Sequence, residues 1–306
     1  MRNEFCNSLV SAADNPRFAF LTGDLGFKAL EPLRDAAGAR FINAGVAEQN
    51  MVSVAAGLAR TGLQPWVYSI APFVYARPYE QIRNDVCFHN LPVKLVGNGG
   101  GYGYGVMGST HHALEDYGAL LCLQNMHVFV PAFSADVPAI VDKLLDFLYP
   151  AYFRLGASEE PKDMELPAYA PWRKLLSGDG PTMLVVGPLV GPILAAARDL
   201  DVAHRPDLWV LTELPLHDIP AEFLADLKRE MKVKRNESAI QAFKARLVSS
   251  ASIDRTKLSD TTAIPPPTRS RTAGTARPPG RRRCDRAGNR APGRSPGRRR
   301  GTRCSG

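Results

Sequence analysis

The sequence has 306 residues, 45% of them hydrophobic, and a formal net charge of +8. A chain of this length and composition has room for two ordinary domains with apolar cores, which excludes a wholly disordered protein. The positive charge is concentrated in residues 265–306, which hold 13 arginines and one acidic residue, whereas the rest of the chain carries a net charge of −4. The body of the protein is therefore mildly acidic, which excludes a basic nucleic-acid-binding body.

Short β-branched and apolar runs alternate with longer amphipathic stretches in the first half of the chain. The runs predict six strands, at 17–22, 39–43, 64–69, 92–96, 127–130 and 151–155. Helical patterns lie near 2–14, 46–61, 74–89, 114–124 and 134–148. Such alternation, with nearly continuous apolar strands, is typical of a parallel sheet covered by helices on both faces. We therefore expect residues 1–156 to form one doubly wound α/β domain.

The second half of the chain has a weaker pattern. Residues 157–180 mix prolines, glycines and charges, which predicts a linker. Strands are then predicted at 182–187 and 208–212, and helices at 188–200 and 219–230. Two strands make an incomplete sheet, so we expect 181–232 to be a smaller, partial α/β domain. We expect 233–306 to be a disordered basic tail, because no Val, Ile, Leu, Met or aromatic residue occurs from 265 onward.

The cysteines and the N-terminus exclude several classes of protein. The five cysteines form no C-x-x-C pair and no Cys/His ligand spacing, so neither a zinc site nor a disulfide framework is predicted. The first 15 residues lack the apolar segment of a signal peptide. We expect a soluble, cytoplasmic protein that does not enter a membrane.

Two segments carry candidate chemistry. In FINAGVAEQN (41–50), one acid, Glu48, stands at the start of an otherwise apolar helix, where it would at least complement the helix dipole. In GNGGGYGYGVMGSTHHALED (97–116), a glycine-rich loop follows a predicted strand and carries His111 and His112. Open α/β sheets bind ligands at the carboxyl ends of their strands, so both segments are candidate site elements.

Three motifs in this region occur together. GVAEQ (45–49), APFVYARPYEQIRND (71–85) and GSTHHALED (108–116) resemble, in order and approximate spacing, the pyrimidine-binding domain of the transketolase family of thiamine-diphosphate enzymes. Arg154 follows on the last strand, and the segment from 182 resembles the start of the family's C-terminal domain. The resemblance covers roughly residues 1–230 and implies a transferase that moves a two-carbon ketol unit between sugars or sugar phosphates.

The resemblance also implies roles for individual residues of the cofactor site. Glu48 matches the glutamate that hydrogen-bonds N1′ of the aminopyrimidine, a role that suits an acid in an apolar environment because it can share a proton. Phe73 matches the aromatic residue that stacks on the pyrimidine, with Tyr75 as a rival because the spacing to Arg77 is one residue longer than expected. For either aromatic residue, ordinary core packing is the alternative.

Three further residues are implied to bind substrate. His111 matches the histidine that contacts donor hydroxyls, and His112, which stands where many members have Gln, is a second candidate. Arg154 matches an arginine that holds the substrate phosphate, a role that its charge suits, with a surface ion pair as the alternative. Met107 stands where members that act on sugars often have an acid, which leaves the donor sugar open.

The resemblance further implies a partner. The family needs a second domain that holds Mg²⁺ and the cofactor's diphosphate, and GDG (178–180) is not followed by the Asn that such a domain requires. We therefore expect a separate N-terminal subunit to hold Mg²⁺ and to complete the thiamine diphosphate site, in a heterotetramer or around a homodimer core. The chain would be active only with that subunit. The alternatives are a deoxyxylulose-phosphate-synthase-like subunit, a 2-oxo-acid-dehydrogenase β-like subunit and a non-catalytic scaffold.

The tail has two interpretations. Its Arg, Pro, Gly and Ala content is expected from GC-rich DNA translated out of frame, which favours a frameshift or truncation after about residues 229–234. The alternative is a basic arm that binds nucleic acid, the one route by which we expect this protein to contact a polyanion.

Overall fold

The computed structural model describes residues 1–158 and 160–234, all within one compact unit. Its strands are β1 (Phe18–Thr22), β2 (Phe41–Asn43), β3 (Gln64–Ile70), β4 (Lys94–Asn98), β5 (His127–Phe129), β6 (Ala151–Leu155), β7 (Trp172–Leu176), β8 (Thr182–Val186), β9 (Asp207–Leu211) and β10 (Glu213–Leu214). Its α-helices are α1 (Arg2–Ala12), α2 (Glu31–Ala37), α3 (Glu48–Arg60), α4 (Ala71–Tyr75), α5 (Tyr79–Gln81), α6 (Asp116–Leu120), α7 (Asp136–Asp146), α8 (Val190–Ala197) and α9 (Ala221–Lys234). A π-helical turn, Ile82–Cys87, continues α5, and 3₁₀ turns occur at Gly38–Arg40, Gly105–Met107 and Gly187–Leu189.

Seven strands form one sheet in the order β10-β5-β6-β4-β3-β1-β2. All its neighbouring strands are parallel except β10, which pairs antiparallel with β5 at the edge. The predicted doubly wound parallel sheet is confirmed, and the six strands predicted for it are all present. The sequence pattern did not predict α2, which is short.

Strand β3 shows why this sheet lies between two layers of helices. Trp66 and Tyr68 belong to one apolar cluster and Val67 to the other, because successive side chains of a strand point to opposite faces. The first cluster includes residues of α1, α2 and α7, and the second includes residues of α3, α4 and α6. Full burial of one large apolar side chain contributes about 1.5–3 kcal/mol, so both helical layers stabilise the sheet.

The second sheet has three strands in the order β7-β9-β8. Strand β7, Trp172–Leu176, falls inside residues 157–180, so that stretch is more than the linker we expected. The charged residues Arg173 and Lys174 interrupt the apolar pattern by which a strand is recognised in a sequence. In the structure both charges have partners: Arg173 pairs with buried Asp136, and Lys174 contacts Asp207 at 3.0 Å and Asp226 at 2.9 Å.

Strand β10 returns from the second sheet to the first. After β9 ends, Glu213 pairs with Phe129 and Leu214 with Val128 across the sheet edge. Glu213 is further held by Lys143 of α7, at 2.6 Å, and by the hydroxyl of Tyr169, at 2.5 Å. The segment predicted as one strand at 208–212 is therefore followed by a short second strand that joins the two sheets.

The predicted disorder of 233–306 and both interpretations of the basic tail concern residues that lie almost entirely outside the described ones. Among residues 1–158 and 160–234, no helix has the length and apolar character needed to cross a membrane.

Candidate functional site

The predicted site elements lie at one edge of the seven-stranded sheet. Helix α3 follows β2, α4 follows β3 directly, and the glycine-rich loop follows β4. All three are at the carboxyl ends of parallel strands, where α/β sheets bind ligands. The topology therefore brings together residues as far apart in the sequence as Glu48 and His111.

Glu48 is the first residue of α3, and only 5% of its surface is exposed. No side chain caps this helix, so the acid in its first turn complements the positive end of the helix dipole. Its Oε1 accepts a hydrogen bond from Nη1 of Arg77 at 2.6 Å. Arg77 is itself 42% exposed, so this charge lies at the surface while the carboxylate lies beneath it.

The two candidate aromatic residues have different environments. Phe73 is half-buried, with the guanidinium of Arg77 over its ring at 3.7 Å and the ring of His111 edge-on at 5.2 Å. Tyr75 is buried in the core against the second helical layer. Burial raises the pKa of the Tyr75 hydroxyl, and the nearby carboxylates of Glu115 and Asp116 add to that effect. Phe73 is the one whose ring face lies against Arg77, the residue that is hydrogen-bonded to Glu48.

Arg77 shows what kind of group this position accepts. Its flat guanidinium stacks on Phe73 while it donates a hydrogen bond to Glu48. A buried carboxylate beside an aromatic face therefore receives a planar group that carries N–H donors. An aminopyrimidine fits this position, because it has the same planar shape and its ring nitrogen N1′, once it carries a proton, is an N–H donor to the same carboxylate. Arg77 had no predicted role of its own, although its motif was among those identified.

The two histidines of the glycine-rich loop point to different neighbours. Nδ1 of His111 lies 3.0 Å from the hydroxyl of Thr110, and its ring also contacts Tyr104 at 5.9 Å. Nε2 of His112 lies 2.9 Å from the carbonyl oxygen of Gly105, so this nitrogen carries the proton and donates. Since His111 contacts Phe73 and His112 does not, the structure brings only His111 to the Glu48 cluster.

Arg154, near the end of β6, directs its guanidinium inward. Its Nη2 donates to the carbonyl of Ala113 at 2.6 Å, and its Nε lies 2.9 Å from Oδ2 of Asp116 in ion-pair rather than hydrogen-bond geometry. Tyr117 lies under the guanidinium at 4.9 Å. Arg154 is 8% exposed, so its ion pair with Asp116 is buried and is not the surface pair that the sequence left as an alternative.

The carboxylate of Asp116 contacts Tyr152 and Arg154 through the same oxygen, Oδ2. The hydroxyl of Tyr152 donates to its Oδ2 at 2.7 Å, while its Oδ1 has no hydrogen-bond partner among the described residues. Burial raises the pKa of this carboxyl, and the charge of Arg154 and the hydrogen bond from Tyr152 oppose that rise. Asp116 and Tyr152 were not predicted as site residues, because their pairing depends on the sheet register and not on a motif.

Met107 is exposed in the 3₁₀ turn that precedes the histidines, and it supplies no carboxylate there. Among residues 1–158 and 160–234, no group of three or more His, Cys, Asp and Glu side chains is arranged to hold a metal ion.

The family "Transketolase, pyrimidine binding domain" matches residues 10–161. The chain is 38% identical to one subunit of the apulose-4-phosphate transketolase of Actinobacillus succinogenes over 123 residues, and these residues make up 40% of each protein. It is 33% identical to the protein of the same name from Phocaeicola vulgatus over 162 residues, which make up 52% of each protein. The matches therefore span about half the length of these curated relatives or less. Among solved structures, a split-gene transketolase described as an inactive β4 tetramer is 32% identical, with a TM-score of 0.60 over 70% of this chain and 71% of that one.

Proposed function

Because the chain belongs to the transketolase family, as its motifs predicted, we propose that it is the pyrimidine-binding subunit of a two-subunit transketolase. The reaction would move a two-carbon ketol unit between sugars or sugar phosphates. The observation that carries the proposal is the position of Glu48, a buried carboxylate beside the ring face of Phe73 and within reach of a planar N–H donor. Similarity to two proteins that are each one subunit of a transketolase supports the split arrangement.

Glu48 would hold a proton at N1′ of the aminopyrimidine, and Phe73 would fix the plane of that ring by stacking. Thiamine diphosphate, when bound, supplies the carbanion and electron-sink chemistry that no side chain provides. Burial of Glu48 would strengthen a hydrogen bond between its carboxyl group and a ring nitrogen, since the local dielectric is low. Tyr75 is packed in the core, so it would support α4, and Phe73 would be the residue that stacks on the ring.

His111 would bind a hydroxyl of the donor sugar. Its ring lies edge-on to Phe73, so a substrate held beside the stacked ring would come within its reach. His112 would lie further from the substrate than His111, because its Nε2 proton is donated to the carbonyl of Gly105 in the same loop. The inward position of Arg154 does not favour the phosphate-binding role that the resemblance implied.

A partner subunit is proposed from the surface around the site. Five large apolar side chains, which we call the apolar rim, are exposed on loops that follow β1, β2 and β4: Phe27, Val46, Tyr102, Val106 and Met107. Val46 is 75% exposed and lies two residues from Glu48. Exposed apolar side chains grouped beside a polar site are typical of a subunit interface. We propose that the partner covers this rim and holds Mg²⁺ and the diphosphate, around a homodimer core or in a heterotetramer.

We propose residues 1–156 as the pyrimidine-binding domain and the three-stranded sheet, with α8 and α9, as part of the family's C-terminal domain. Strand β7 extends that second domain into the stretch first interpreted as a linker.

The test is reconstitution of the full chain with a subunit that carries Gly-Asp-Gly followed by Asn. Ketol transfer from xylulose 5-phosphate and from apulose 4-phosphate is measured with and without thiamine diphosphate and Mg²⁺. We expect activity only in the presence of both subunits. Glu48→Gln should lower kcat by about 10²–10⁴-fold, the usual contribution of a positioned acid–base group.

Glu31→Gln is the matched control, since Glu31 is also an acid in a first helical turn but is only half-buried, on α2. It should leave kcat unchanged. Turnover by the chain alone, or full activity of Glu48→Gln with the partner, would contradict the proposal. Turnover of pyruvate in place of a ketose would instead support the deoxyxylulose-phosphate-synthase-like alternative.

A further inference from the structure

The glycine-rich loop that carries His111 is closed at its base by a short backbone bridge. Gly101 N–H donates to the carbonyl of Ala113 at 2.8 Å, and Ala113 N–H donates to the carbonyl of Gly101 at 3.0 Å. Between these residues, the hydroxyl of Tyr104 accepts a hydrogen bond from Nδ2 of Asn98 in β4 at 2.9 Å, whereas the backbone of the loop is joined at its base by the bridge. The orientation of His111 therefore depends on what holds this bridge in place.

Strand β6 supplies the groups that hold it. Tyr152 and Arg154 are two residues apart on this strand, so their side chains point to the same face. Arg154 donates to the carbonyl of Ala113, the same oxygen that closes the bridge, at 2.6 Å. Both side chains also contact Oδ2 of Asp116, the first residue of α6, at 2.7 Å from Tyr152 and 2.9 Å from Arg154.

The loop fits closely around the guanidinium. A Cβ atom at Gly100 would overlap Nε of Arg154, so the backbone passes the arginine at a distance that only glycine allows. Tyr117 contacts the other side of the guanidinium. Arg154 is thus enclosed by the two ends of the loop, Gly100 before it and Ala113, Asp116 and Tyr117 after it.

We propose that Arg154 is a positioning residue that fixes the base of the loop, through Ala113 and Asp116, and so keeps His111 beside Phe73. The catalytic meaning of this contact rests on the proposed function, because it is there that His111 receives a substrate. The anchoring of the loop does not, since it concerns the fold of the chain by itself.

The first experiment measures amide hydrogen exchange in the full chain without a partner. Arg154→Lys keeps the charge and removes the two-point contact, and Tyr152→Phe removes one hydroxyl. We expect the amides of Gly101 and Ala113 to exchange about tenfold faster in Arg154→Lys and by a smaller factor in Tyr152→Phe. Unchanged exchange at both amides in both variants would overturn the proposal.

Arg173→Lys is the matched control, because Arg173 is also a buried arginine paired with a buried aspartate, Asp136, at 2.6 Å. Its pair joins the second sheet to α7 and does not contact the loop. We expect exchange to rise in β7 and to stay unchanged at Gly101 and Ala113. If amide exchange at Gly101 and Ala113 rose equally in this control, the loop would respond to the loss of any buried ion pair. That result would also overturn the proposal.

The second experiment uses the reconstituted enzyme. In Arg154→Lys, kcat/KM for xylulose 5-phosphate should fall by about tenfold or more, as expected when a catalytic group is misplaced. The affinity for thiamine diphosphate, measured by calorimetry, should stay within about twofold, because Glu48 and Phe73 are not contacted by Arg154. His111→Ala should add little to Arg154→Lys, since both changes remove the same function.

The phosphate-binding role predicts a different result. Arg154→Lys would then raise KM for xylulose 5-phosphate but not for unphosphorylated xylulose, and amide exchange at Gly101 and Ala113 would not change. If no partner yields an active enzyme, the proposed function fails while the exchange measurement still decides the anchoring role.

Discussion

The seven-stranded sheet buries one cation at the carboxyl ends of its strands, which we call the carboxyl edge, and another at their amino ends, the amino edge. The two charges are neutralised differently. At the carboxyl edge, Arg154 has a carboxylate, Asp116, at 2.9 Å. At the amino edge, Lys94 is fully buried, and the hydrogen bonds that its ammonium group makes within the described residues go to backbone carbonyls, those of Phe147 at 2.5 Å, Pro92 at 3.3 Å and Tyr149 at 3.4 Å. Arg154 therefore has a counter-ion, whereas Lys94 has none among the described residues.

The difference follows from the chemistry of the two side chains. A buried guanidinium stays protonated and therefore needs a counter-ion. A buried ammonium can lose its proton, and burial lowers the pKa of Lys94 to about 7. The carboxyl edge thus keeps a fixed charge pair beside the proposed site, whereas the amino edge contains a group that is half neutral near neutral pH.

The largest expected effect comes from removing the counter-ion at the carboxyl edge. Asp116→Asn keeps the shape of the side chain but leaves the charge of Arg154 buried without a partner. We expect a loss of about 3–5 kcal/mol in the free energy of unfolding, measured by denaturant titration. Asp35→Asn, at an exposed ion pair with Arg34, should change it by less than about 0.5 kcal/mol. A small loss at Asp116 would mean that Arg154 does not need its carboxylate.

The amino edge predicts a pH dependence of stability. Because the pKa of Lys94 is about 7 in the folded chain and about 10.4 when unfolded, the unfolded chain binds more protons between these values. Raising the pH through this window therefore stabilises the wild type, by at most about 2–3 kcal/mol over two pH units. Below pH 7 both states are protonated, and this contribution is at its least favourable.

Lys94→Met removes the group that titrates, so the difference in unfolding free energy between wild type and variant should change with pH from 7 to 9, as only the wild type gains stability there. Lys94→Arg cannot lose its proton and should be less stable than the wild type throughout, by a margin that increases as the wild-type lysine deprotonates. A difference that stays constant with pH would show that Lys94 remains charged when buried.

The sequence predicted the elements on which these cations lie but not their partners. Apolar runs identified β4 and β6, and motifs identified Glu48, Phe73 and His111 by matching a family pattern. Strand β7 was missed because Arg173 and Lys174 resemble linker residues until their buried acidic partners are known. The pairing of Arg154 with Asp116, 38 positions earlier, is a property of the folded sheet, which no local pattern records.

The smallest expected effect belongs to a third cation, Lys143 of α7, whose partner lies on the edge strand β10 of the same sheet. Lys143 pairs with Glu213 of β10 at 2.6 Å, but its side chain is 42% exposed. Water already solvates this ammonium, so its counter-ion contributes little, and the pair should be worth about 0.5 kcal/mol or less. Lys143→Met should lower the unfolding free energy by that amount in dilute buffer and by less at about 1 M salt, where the Debye length is short. Glu213 keeps its hydrogen bond from Tyr169 in this variant, so β10 stays paired. A loss as large as that of Asp116→Asn would contradict the idea that burial, and not the mere presence of a charge, decides whether a cation in or against this sheet needs a counter-ion.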